Sequence, residues 1–93
     1  MNHQKINTEY LNYQHHIENI LTFLFEYQLP EYKAQQYPEI IQNFEQLDLV
    51  ACYTLFGLVE KKLPYRARML FAGENYQGKR ETLLEVFEHV KRG

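Results

Sequence analysis

At 93 residues with a formal net charge of −2, the chain has room for one domain and a modest core, so self-association is a natural source of added stability. Apolar residues make up 45% and charged residues 24%, which excludes a disordered polar polymer. The single cysteine, Cys52, excludes an intrachain disulfide, and its place in an apolar run suits a buried thiol in a reducing, cytoplasmic setting.

The first helix is predicted from about Thr8 to Tyr27, with Asn7 or Thr8 as its cap. Tyr10, Tyr13, Ile17, Ile20, Leu21, Leu24 and Tyr27 recur at helical spacing and share one face, with Phe25 beside it. Phe23 falls well off that face and needs another helix or a partner to cover it.

Pro30 and Pro38 are each followed by glutamate, and proline with an acid in the first turn marks a helix start. Pro30 to Gln36 therefore reads as a short helix or turn, and a second main helix is expected from Pro38. Its apolar series is Ile40, Ile41, Phe44, Leu47, Ala51, Leu55 and Leu58. Two readings stay open: one helix to Lys61, or a break at Leu47-Asp48 with Asp48 capping the second piece. The run Leu49 to Val59 is the longest apolar stretch, short of the about 20 residues a bilayer requires. Gly57 within it suggests a close helix crossing.

Pro64 is expected to open a short helix with Leu63, Ala67, Leu70 and Phe71 as its apolar edge. Gly73 is expected to end it in a left-handed conformation. The last helix runs from about Lys79 to Lys91, with Leu83, Leu84, Val86, Phe87 and Val90 inward. The absence of strand-like alternation makes the fold all-α, a bundle of four to five helices with short connections in one domain, residues 1–93.

Between the last two helices lies AGENYQGKRET, residues 72–82, close to the phosphate-binding pattern G-x-x-x-x-G-K-[ST]. Arg80 stands where the magnesium-binding hydroxyl belongs, and Thr82 comes two residues late. The segment before Arg68 reads as helix, and only 15 residues follow Gly78, so the parallel sheet of a nucleotide hydrolase has no place. A turn between helices is the simpler reading. Lys79 and Arg80 then stand at a helix N-terminus, where free N–H groups favour a phosphate or carboxylate.

Charge is split along the chain. Residues 1–60 hold two cations against eight acids, whereas residues 61–93 hold eight cations against four acids. The densest basic stretch is Lys61-Lys62-Leu63-Pro64-Tyr65-Arg66-Ala67-Arg68, one tyrosine among four cations. Complementary halves also pair within one domain or head-to-tail between subunits.

Catalytic signatures are missing. There is no serine, and the four threonines carry no nucleophile pattern. His15 with Glu18, and Glu85 with His89, have helical spacing but too few ligands for a metal. No cofactor, metal or membrane is expected.

The function expected from these residues is non-catalytic: a helical protein that binds and masks or tethers a macromolecular partner, most simply a protein, in the manner of an immunity protein, inhibitor or adaptor. Lys61, Lys62, Tyr65, Arg66, Arg68, Tyr76, Lys79 and Arg80 are the candidate contacts. The eight tyrosines and bipolar charge suit such a surface, or a homodimer. The alternative is a nucleic-acid-binding regulator that uses the same basic third.

Overall fold

The computed structural model describes residues 3–92, with side chains from residue 13 onward. Five helices follow one another: α1 His3–Phe25, α2 Pro30–Glu45, α3 Leu49–Lys62, α4 Tyr65–Ala72 and α5 Tyr76–Lys91. There is no strand among the described residues, in agreement with the all-α expectation.

Helix α1 begins five residues before the expected start, so Asn7 and Thr8 lie within it rather than capping it. The side-chain role expected of Tyr10 falls outside the described side chains. The helix ends at Phe25 and leaves Tyr27 in solvent, not on the inner face. Ile17, Ile20 and Phe23 are buried. Phe23 meets another helix: its ring stands edge-on to Phe87 of α5 at 6.2 Å. The aromatic network continues to Phe44, whose centroid is 5.4 Å from that of Phe87. Such edge-to-face pairs add about 0.5–1.5 kcal/mol beyond area burial.

Pro38 does not start a helix. It lies inside α2, which runs unbroken from Pro30 and has that proline in its first turn. Pro38 is exposed, so the carbonyl its missing N–H leaves unbonded faces water. The apolar stripe of Tyr37, Ile40, Ile41 and Phe44 packs on the core and carries the helix through. The Lys33 ammonium donates to the Phe23 carbonyl at 2.9 Å, closing the end of α1 against α2. Asn19 lies with Gln36 and Ile40, so the two helices run antiparallel.

The break at Leu47-Asp48 is present. The Asp48 carboxylate accepts the Ala51 N–H at 2.8 Å as the N-cap of α3. Ala51, Cys52, Leu55, Phe56 and Val59 are buried. Phe25 lies against Lys62 and Tyr13 lines a groove with Val50, so α3 runs parallel to α1. The close crossing expected at Gly57 is absent: a Cβ there would have no neighbour within 4 Å.

Helix α4 is attached lightly, chiefly to α3. Phe71 is its buried anchor, edge-on to Phe56 at 5.9 Å. Leu70, placed on the apolar edge from sequence, is 72% exposed. Gly73 closes the helix at φ −76°, a right-handed conformation that needs no glycine. Helix α5 starts three residues earlier than expected because Asn75 caps it. Buried side chains from all five helices form one cluster.

Candidate functional site

The glycine-lysine motif is a helix start. Asn75 Oδ1 accepts the Gly78 N–H at 2.7 Å, taking one of the free donors of α5. The Glu74 carboxylate lies over the same turn, and both of its oxygens are 2.8 Å from Thr82 Oγ1. A Cβ on Gly78 would sit 2.9 Å from Glu74 Oε2. The first turn of α5 thus holds a carboxylate and an amide of its own chain where a phosphate would have to enter.

Lys79 and Arg80 point into the fold. Lys79 Nζ is 3.2 Å from Glu60 Oε1, with side chains only 15% and 25% exposed. The same ammonium lies 5.6 Å from the Phe71 ring and 5.9 Å from Phe56. The Arg80 guanidinium stacks on Phe44 at 4.6 Å and donates to the Cys52 sulfur at 3.4 Å. Tyr76 is half-buried between Tyr53 and Phe56. Hydrogen bonding to the Cys52 thiol holds its hydroxyl pKa above the ordinary 10.0, with partial burial adding and Arg80 opposing. These three residues brace α5 on its neighbours α2, α3 and α4 and are half-buried, unlike the rest of the predicted set.

Lys61, Lys62, Tyr65, Arg66 and Arg68 are exposed and sit together at the α3–α4 corner. None of the four cations pairs with a carboxylate among the described residues. Lys61 and Lys62 occupy the last turn of α3, where the helix dipole favours positive charge. At 100° per residue, Ala67 and Phe71 define the inner side of α4. Met69 then points directly away from it and Tyr65 within about 40° of that direction, with Arg66 and Leu70 on one flank and Arg68 on the other. Exposure agrees: Tyr65 is 71% and Met69 56% exposed. Helix α4 is therefore a ridge with an apolar crest between two guanidinium groups.

The periodicity alone missed two depressions, one beside this ridge and one on another side of the bundle. Behind α4, an open cleft of about 340 Å³ has Val59, Phe71 and Leu83 as its floor and Phe25, Leu70 and Val86 at its rim. Along the parallel α1–α3 seam runs a groove of about 300 Å³. Tyr13, Ile17, Leu21, Val50 and Leu58 give it apolar walls, and Glu18 and Asp48 give it an acidic edge. A signal for the groove was present in the sequence: Leu49 and Val50 open an apolar helix immediately after a capping Asp, more apolar surface than one inward face can bury.

No three histidine, cysteine or acidic side chains cluster for a metal among the described residues, and none of their helices is long and apolar enough to cross a membrane. No protein-family model, curated protein or solved structure matches the chain.

Proposed function

We propose that the protein is a non-catalytic binding module that docks on another protein through the α4 ridge and masks or tethers it, as an immunity protein, inhibitor or adaptor would. The observation that carries this reading is the outward crest of Tyr65 and Met69 between Arg66 and Arg68. A short helix held mainly through one phenylalanine, with its larger apolar side chains in solvent, gains little for the fold. The same arrangement supplies an aromatic anchor and flanking arginines, the residue types that dominate binding hot spots. Lys61 and Lys62 extend the positive rim and favour an acidic partner surface.

The nucleic-acid alternative is weakened by one feature. Of its six candidate cations, Lys79 and Arg80 are engaged within the fold, which leaves four and a correspondingly shallow salt dependence.

The test is parallel capture from native lysate, with and without nuclease treatment, using the wild-type chain and Arg66→Glu/Arg68→Glu. A protein retained by the wild type and lost by the variant, at unchanged helicity and melting midpoint, supports the proposal. A partner retained equally by both removes the ridge from consideration. Loss of every partner on nuclease treatment supports the nucleic-acid reading instead.

A further inference from the structure

We infer that the α1–α3 groove is a receptor for the α4 ridge of a second copy, so that the protein associates head to tail. This goes beyond the proposed partner and does not rest on it. The two surfaces are complementary in shape and in charge. The ridge projects an apolar crest, Tyr65 and Met69, flanked by the cations Arg66 and Arg68. The groove is a concave strip with apolar walls, Val50 among them at 72% exposure, and Glu18 and Asp48 on its edge.

The geometry selects this pairing over the others. A two-fold contact between ridges would bring four guanidinium groups together, and one between grooves would oppose carboxylates. Ridge into groove instead sets Arg66 and Arg68 against Glu18 and Asp48, a pairing of opposite charges. A chain cannot fill its own groove. Its ridge is tied by Leu63 and Pro64 to the C-terminal end of α3, while Asp48 and Val50 lie at the N-terminal end of that 14-residue helix, roughly 20 Å away. Each copy is therefore donor and acceptor at once, a heterologous contact that builds rings or open chains rather than closed dimers.

An eight-residue helix offers less than the roughly 800 Å² per side of a standard interface, so the association is concentration-dependent and weak. It also covers the surface proposed for the partner, which makes self-association and partner binding compete.

The test is a pair of single-surface blocks, each at an exposed position. Met69→Glu places an acid on the crest, and Val50→Arg places a bulky cation in the groove. Weight-average mass is measured by light scattering or sedimentation over a concentration series, with helicity and melting midpoint checked for each variant. The wild type is expected to gain mass with concentration and to lose that gain at high salt. Each variant alone stays monomeric, and an equimolar mixture of the two recovers association as a one-to-one heterodimer, raising the mass toward but not beyond twice the monomer value, because each brings the surface the other lacks. A wild type that stays monomeric up to its solubility limit overturns the proposal. So does Val50→Arg associating as well as the wild type, which would indicate a two-fold ridge contact, and so does a mixture that remains monomeric.

Discussion

Lys79 Nζ lies 3.2 Å from Glu60 Oε1, and this contact decides what the glycine-lysine motif is for. A phosphate-binding lysine must extend over the loop that precedes it. Here the side chain turns back onto α3 and rests against Phe56 and Phe71. Lys79→Ala removes one partner of a partly buried pair and two ring contacts, so it is expected to destabilise the fold by about 1–2 kcal/mol. That corresponds to a fall in melting midpoint of roughly 4–8 °C per kcal/mol for a domain of this size. Thermal unfolding followed by circular dichroism measures it. ATP or GTP at millimolar concentration is expected to leave the wild-type midpoint unmoved, and a nucleotide-dependent rise would restore the phosphate reading.

The glycines give a paired prediction of opposite sign. Gly57 lies mid-helix, and a methyl group placed on its Cα would meet no neighbour within 4 Å. Gly57→Ala should therefore stabilise by about 1 kcal/mol through helix propensity alone. Gly78 is also helical, but its Cβ would press on the Glu74 carboxylate that Thr82 holds. Gly78→Ala should lose that gain and lower the midpoint. Equal stabilisation by both substitutions would mean that the Glu74–Thr82 contact moves aside at no cost.

Much of the fold was legible because it rests on local rules. Asp48 as a cap is one of the two readings the sequence leaves open, and it caps α3; of the inward set on α5, Leu83 and Phe87 are buried, while Val86 is exposed at a cleft rim. The misreadings share a cause, which is tertiary packing acting on a local signal. Pro38 carried a start signal that Pro30 had already used, and packing on α1 held the longer helix together. Phe23 is not among them: its place off the α1 stripe calls for another helix or a partner, and α5 covers that second side of α1. At the candidate site, Lys79 and Arg80 group with the basic run, and the sequence leaves open whether all six cations share one face. The aromatic cluster of Phe44, Phe56 and Phe71 draws those two inward, and only the assembled core could separate them from Lys61, Lys62, Arg66 and Arg68.

The corrected core has its own test. Phe23 is fully buried among aromatic rings, so Phe23→Ala should cost about 3–5 kcal/mol, transfer and cavity terms together. The midpoint should then fall by roughly 12–40 °C. Leu70→Ala, at the open rim of the cleft behind α4 and 72% exposed, should stay within about 0.5 kcal/mol of the wild type. Chemical denaturation of the two variants side by side compares them directly. Similar losses would place Leu70 inside a packed surface and contradict the free ridge.

The Tyr37–Glu88 contact makes stability depend on pH at both ends. The Tyr37 hydroxyl donates to Glu88 Oε1 at 2.6 Å, tying α2 to α5, and Lys91 Nζ lies 4.2 Å above the Tyr37 ring. This hydrogen bond is the main cause holding the Glu88 carboxyl below its ordinary 4.5, and Lys91 and Arg92 add to it against partial desolvation. A carboxylate depressed in the folded state contributes stability above its unfolded pKa, and that contribution is lost as pH falls through the folded value. The same bond, with burial and the Glu88 charge, holds the Tyr37 hydroxyl above its ordinary 10.0. A phenol raised in the folded state contributes fully below its unfolded pKa and loses that contribution as pH rises through the folded one. Tyr37→Phe removes the alkaline dependence and the main part of the acid one, leaving what Lys91 and Arg92 contribute at Glu88, while keeping the ring under Lys91. Its midpoint should lie a few degrees below that of the wild type across a plateau from about pH 5 to 9, and the gap should close toward both acid and alkali. Melting curves at pH steps across this range check the sign. A gap of constant size at every pH would mean that ring packing alone, without the hydrogen bond, accounts for what Tyr37 contributes.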